Sequence, residues 1–275
     1  MDWSKTKTIF IVVFSILNIF LYSLYLSQHT EAQNLQVAGK TSVEELLKQE
    51  NITYNLPQVV KNNFSYVSAN SVSFSAEDLE LLEGQDIEIV DSTKLESTFH
   101  IDVPIQNAKG EYIFDEFKTK YVWQGAEYEL WEVNEDEKKA LFFQKANGEP
   151  IFYSSNAMLV IHWDNDYKVT HYEQRLLEEF INFNRKKDLI TQDEVIGSLA
   201  TRGYLKHGSE IIGVTLGYST LVQLTETQVF APTWNIRVKL EDGEIEDYFI
   251  NAIEGKVIDF QMDRGQEEET DEVEE

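Results

Sequence analysis

TQDEVIGSLATRGYLKHGSEIIGVTLGYSTLVQLTETQVFAPTWNIRVKLEDGEIEDYFINAIEGKVIDF, residues 191–260, is the stretch that decides the fold class. Thr191 offers a hydroxyl at a helix start and Glu194 a carboxylate three residues on, the pattern of a capping box. Val195, Ile196, Leu199 and Ala200 then fall on one helical side, and Gly203 can close the helix. Strands are expected over Ile211 to Leu224, Trp234 to Leu240 and Ile245 to Asn251. Asp242-Gly243 is a hairpin signal between the last two, and a turn at Glu254-Gly255 leads into Lys256 to Phe260. A helix followed by an antiparallel meander predicts an α+β domain, mostly antiparallel β-sheet with a few short helices.

Upstream the signals are weaker. Thr41 to Glu44 repeats the capping pattern for a helix with Val43, Leu46 and Leu47 on its apolar side and Asn51 at its end. Phe64 to Phe74 reads as extended, and Ser75 to Asp78 caps a short helix before Gly84. Short strands are predicted at Ile87 to Val90 and at Phe99 to Val103, the latter stopped by Pro104. A denser β region covers Glu127 to Val133, Ala140 to Gln144, Ile151 to Tyr153 and Met158 to Trp163. Asn147-Gly148 and Asp164-Asn165-Asp166 are turns. Tyr167 to Asn184 reads as either strand or helix. Because the first third also opens with a capped helix and then strands, the pattern suggests two related halves; in the C-terminal one YFINAIEGK, an aromatic strand ending in an Asn-Ala-x-x-Gly-Lys turn, resembles a PepSY hairpin.

Near the N-terminus lies TIFIVVFSILNIFLYSLYL, residues 8–26, nineteen residues without a charge. As a helix this spans roughly 28 Å, about the thickness of a bilayer core. Lys5 and Lys7 precede it, so the expected topology is a single-pass cell-membrane anchor with the N-terminus cytoplasmic and the bulk of the chain extracellular. The flank SQHTEAQ offers a poor cleavage site, which argues against a removed signal peptide. The expected organisation is a cytoplasmic start over 1–7, the anchor over 8–26 and a linker over 27–40. An extracellular domain over 41–262 and a disordered acidic tail over 263–275 complete it. That tail holds eight acids against one arginine. Within the anchor, Thr8, Ile11, Ser15, Asn18, Tyr22 and Tyr25 share one stripe that collects nearly all its polar side chains. Helices associate in lipid through small and polar residues, so Ser15, Asn18 and Tyr22 are the candidate contacts to a partner helix.

The chain carries 49 acidic and 23 basic residues for a net charge of −26, and all but Asp2, Lys5 and Lys7 lie beyond the anchor. Such a surface repels nucleic acid and anionic polymers. With no cysteine there is no disulfide framework and no thiolate nucleophile. Nucleophile elbows, the His-Glu-x-x-His signature and phosphate-cradling glycine loops are absent. Of His29, His100, His162, His171 and His207, only His162 and His171 flank a predicted turn and can meet across a hairpin. Two histidines alone make an incomplete metal site. Trp123, Trp131, Trp163 and Trp234 are candidates for a groove, against the commoner alternative of core. The residues supply no catalytic constellation and no reason to expect a cofactor or metal.

The start MDWSKTKTIFIVVFSILNIFLY, the segment GVTLGYS at 213–219 and the closing PTWNIRV…YFINAIEGKVID from Pro232 to Asp259 together resemble the YycI members of the YycH/YycI regulatory proteins of low-GC Gram-positive bacteria. The resemblance covers the chain from Met1 to about Asp263. It implies a non-catalytic, membrane-bound accessory protein of the WalK–WalR (YycG–YycF) two-component system that controls cell-wall metabolism. The partners it implies are a YycH-like protein and the sensor histidine kinase WalK, with transmembrane helices contributing to the complex. Two other readings compete: a PepSY-like extracellular inhibitor or ligand sensor, and an anchored wall hydrolase.

Overall fold

The computed structural model describes residues 7, 10–23, 40–59, 64–75, 79, 82–183, 188–223 and 227–260. Helix α1 covers 10–23. It is followed by α2 (Lys40–Gln49), β1 (Thr53–Tyr54), β2 (Val67–Ser71), β3 (Gln85–Val90) and β4 (Lys94–Phe99). Helix α3 (Phe114–Tyr121) then precedes β5 (Tyr128–Asn134), β6 (Lys139–Ala146), β7 (Glu149–Phe152), β8 (Met158–Trp163), β9 (Val169–Gln174) and β10 (Leu177–Asn182). The last part is α4 (Gln192–Thr201), β11 (Glu210–Gln223), β12 (Thr227–Lys239), β13 (Ile245–Asn251) and β14 (Val257–Ile258).

One hydrogen-bonded path runs β10-β2-β12-β11-β7-β6-β8-β9-β4-β3, with β13 and β14 beside β12 and β5 beside β6. It is mostly antiparallel, and the few helices make it α+β as the sequence suggests. Helix-then-meander occurs twice, as α3 followed by β5-β6-β8-β9 and as α4 followed by β11-β12-β13-β14. The first of these is not the one expected from the opening third. Helix α2 is followed instead by β1 and β2, which pair with β11 and β12 and so complete the C-terminal sheet. Each unit has its own core. Val195, Ile196 and Leu199 of α4 pack on Phe230, Trp234 and Ile236. Phe114 and Phe117 of α3 pack on Phe142, Ile161 and Tyr172.

The two units meet at β7, a four-residue strand hairpinned to β6 through Asn147-Gly148. Both turn residues have positive φ, as a tight hairpin turn requires. On its other side β7 pairs in parallel with β11, Ile151 opposite Tyr218 and Phe152 opposite Ser219. Gly217 permits this approach, since a Cβ there would lie 2.4 Å from the Pro150 carbonyl oxygen. A second join is made by the buried Gln144 of β6. Its Nε2 donates to the Leu177 carbonyl at 2.7 Å, and its Oε1 accepts from the Leu177 N–H at 2.8 Å. The amide thus does for β10 what a neighbouring strand would do.

Most sequence-level boundaries survive. Thr191 and Glu194 form the expected capping box on α4, Gly203 follows with positive φ, and Asn51 ends α2 in the left-handed region. Asp164 makes its turn by accepting from the N–H groups of Asp166 and Lys168. Val43, Leu46 and Leu47 are the half-buried side of α2, which begins at Lys40. The strand expected at Phe99 to Val103 lies earlier, at Lys94–Phe99. Its mostly polar sequence KLESTF hides a two-sided pairing with β3 and β9. Strand β12 begins well before Trp234. Pro232 is tolerated inside it because the second edge changes partner there, from β2 at Phe230 to β13 at Thr233. The ambiguous stretch 167–184 is resolved as β9 and β10. The tryptophans do not share a groove: Trp234 and Trp163 lie in different cores. The expected tail and most of the linker, and the cap over Ala76 to Asp78, lie outside the described residues.

Two substitutions test the join. Gly217→Ala forces the β7 backbone away and is expected to cost about 1–3 kcal/mol, whereas Gly213→Ala, whose Cβ would meet only Arg237 Cβ at 3.4 Å, should be close to neutral in the same urea titrations. Gln144→Leu leaves a buried N–H and C=O without partners and should lose about 2–5 kcal/mol in equilibrium unfolding.

Candidate functional site

Helix α1 is exposed on every side, including Phe10, Ile11, Phe14, Ile19 and Phe20. A helix that is apolar over all but one narrow stripe is one that buries itself in lipid or in a protein interior. Its 14 described residues reach about 21 Å, and no helix among the described residues is long and apolar enough to cross a membrane. Ser15, Asn18 and Tyr22 all lie on it, at the expected spacing, whereas Thr8 and Tyr25 of the stripe fall outside the described residues. Asn18 meets part of its hydrogen-bonding demand within the helix, Nδ2 donating to the Phe14 carbonyl at 2.8 Å. One amide N–H of Asn18 is thereby satisfied without a second helix.

The folded domain has its own exposed apolar feature, which the sequence did not reveal. Ile181 of β10 pairs with Ser68 of β2, Ser68 with Val229 of β12, and Val229 with Val222 of β11. Residues paired in this way point to one face of a sheet. Ile181 is 63% exposed and Val222 43%, and the exposed Phe183 continues the row past the end of β10, its N–H bonded to the Tyr66 carbonyl. Beyond the Leu177 clamp, the outer edge of β10 pairs with no strand among the described residues. Glu178 and Glu179 charge that edge near its start, and Glu179 has positive φ at a bulge. Charge and bulging are the usual protections of an open edge. They leave the apolar row past the bulge uncovered.

His162 and His171 do meet across the β8–β9 hairpin. Their rings stack with centroids 4.2 Å apart and planes 6° from parallel. Glu173, two residues along β9 and on the same face, completes a trio whose ligand atoms lie within 4.8 Å of one another. Burial and the neighbouring His171 push the His162 imidazole down to about 4, so it is neutral at ordinary pH. Partial burial alone would raise the Glu173 carboxyl, but the hydrogen bond and charge of Lys94, whose Nζ is 2.8 Å away, hold it below its usual value. The sequence signal for Glu173 was the His-x-Glu alternation of a strand, which puts both side chains on one face.

The family model described as YycI protein matches residues 30–253. No curated protein matches the chain. Among solved structures, an uncharacterized protein from Eubacterium rectale ATCC 33656 is 10% identical, with a TM-score of 0.46, over 79% of this chain and 99% of its own. YycH from Bacillus subtilis is 14% identical, with a TM-score of 0.39, over 70% of this chain and 52% of its own, so the match spans about half of that protein.

Since Ile181 and Val222 contribute to no core, the double variant Ile181→Ser/Val222→Ser should unfold within about 1 kcal/mol of wild type in urea; a larger loss would make the row a structural element.

Proposed function

Because the chain belongs to the YycI family, we propose that it is a membrane-anchored accessory regulator that binds the sensor kinase WalK together with a YycH-like partner and tunes the two-component signalling that controls cell-wall metabolism. On this reading residues 8–26 cross the cell membrane, the N-terminus is cytoplasmic, and the folded domain is extracellular. The observation that carries it is helix α1. Eleven of its large apolar side chains are exposed in the isolated chain, which in water would cost about 1.5–3 kcal/mol for each that could otherwise be buried. Lipid and partner helices supply that burial. Ser15, Asn18 and Tyr22 form the face turned toward the partner helices, because small and polar residues favour close helix contacts there. The exposed row from Ile181 to Val222 is the surface that receives the YycH-like protein. It is apolar on a chain whose net charge of −26 otherwise favours solvent.

The regulatory step needs no chemistry. A protein that binds one kinase conformation better than the other shifts the population by the difference in affinity alone, and about 5.5 kcal/mol spans the range from 1:99 to 99:1. Uniform binding to both conformations would shift nothing.

Co-purification from membranes tests the reading: full-length protein, carrying Ser15→Leu with Asn18→Leu or the double change at Ile181 and Val222, is compared with wild type for capture of WalK and the YycH-like protein. The stripe variant is expected to lose most of the kinase at unchanged expression, and the row variant most of the YycH-like protein. Capture of neither partner by wild type would overturn the proposal, and unchanged capture by the stripe variant would reduce α1 to a tether.

A further inference from the structure

We propose that His162, His171 and Glu173 form a binding site for a divalent transition-metal ion, with Zn2+ the ion their donors fit. Cross-strand pairing fixes the three side chains. His162 on β8 stands opposite His171 on β9, Glu173 lies one alternation further along, and all three project from one face of the N-terminal sheet. Two imidazole nitrogens and one carboxylate oxygen are a donor set that zinc accepts, with a fourth position left to water or to an incoming side chain. Hard cations such as Mg2+ and Ca2+ need more oxygens than this trio provides.

The surroundings prepare the donors. The Thr170 hydroxyl donates to the His162 carbonyl at 3.3 Å and lies 3.0 Å from His171 Nδ1. When its proton points to that carbonyl, the hydroxyl accepts from Nδ1–H, and the Nε2 lone pair of His171 is free for a metal. Fixing a histidine tautomer through its second nitrogen is the usual support for a metal ligand. Lys94 holds one oxygen of Glu173, and also bonds Glu96 at 2.6 Å, so the carboxylate is oriented while its other oxygen stays open. A zinc–nitrogen bond is about 2.0–2.1 Å, so the ligand atoms must close by roughly an ångström on binding. All three side chains are only half-buried and have room to turn. Ring stacking accounts for the two histidines and the Lys94 ion pair for the carboxylate; what points to a metal is that the three donors converge within 4.8 Å on one face.

The test is a titration of full-length protein in detergent with Zn2+ against a chromophoric chelator, with X-ray absorption at the zinc edge on the loaded sample. One equivalent should bind, with two imidazole nitrogens in the first coordination shell. His162→Ala and His171→Gln should each weaken it by more than about 100-fold, beyond the loss typical of a supporting group. Glu173→Gln should weaken it as well. His207→Ala, a histidine outside the cluster, should change nothing, and circular dichroism checks that every variant folds. Undiminished binding in folded His162→Ala, displacement by millimolar Ca2+, or a shell of oxygens only would each overturn the site and assign the ion to the acidic surface.

Discussion

Everything in the folded domain depends on how closely β7 can lie against β11. Each helix-and-meander unit folds around its own core, and neither needs the other to satisfy its helix. What makes them one body is a two-residue parallel pairing at Ile151 and Phe152, backed by the Gln144 clamp on Leu177. So short a ladder supplies few hydrogen bonds, and the contact holds because side chains finish it. Phe143, Phe152 and Phe249 gather there with Trp131 and Tyr153, and Arg237 caps the group, 4.4 Å over the Trp131 ring and paired with Asp247 at 2.9 Å. The absence of a side chain at Gly217 is what lets these rings close. GVTLGYS, a segment on which the family resemblance rests, therefore sits at the join, and its glycine has a mechanical reason.

The legible parts of the sequence were those in which one local signal dictates one structure. A hydroxyl and a glutamate three apart gave the cap of α4, Asn-Gly and Asp-Gly gave their hairpins, and Met158 to Trp163 alternates cleanly because only one of its faces is buried. The parts that failed are those where a distant partner decides. KLESTF became a strand because β3 and β9 flank it, and LEEFIN because β2 lies beside it and Gln144 reaches its first residue. No local pattern encodes such neighbours. Helix α3 is a different case: Phe114, Phe117 and Tyr121 stand at helical spacing and are buried, a stripe present in the sequence that went unread.

The candidate surfaces divide the same way. The stripe of Ser15, Asn18 and Tyr22 is a property of one helix, so spacing alone was enough to collect it. The row from Ile181 to Val222 is assembled from four strands, of which only β11 and β12 are consecutive elements in sequence, and half of it passes as ordinary strand core until the register is known. The histidine trio lies between these extremes. Its two histidines were visible as neighbours of a turn, while Glu173 needed the face assignment of β9.

On the proposed reading, the helix and the row are not independent sites. An exposed row of this size falls short of the roughly 800 Å² per partner that a stable soluble complex buries. Anchoring changes that requirement. Two proteins confined to one membrane, and held near each other by helix contacts, meet as if tethered, so the second contact forms at an effective concentration far above that in solution. A weak external contact then suffices, and it can form and break as the kinase changes conformation. A tighter one would hold the complex in a single state and leave nothing to regulate. The small apolar row on a strongly acidic domain fits that requirement better than a large hydrophobic interface would.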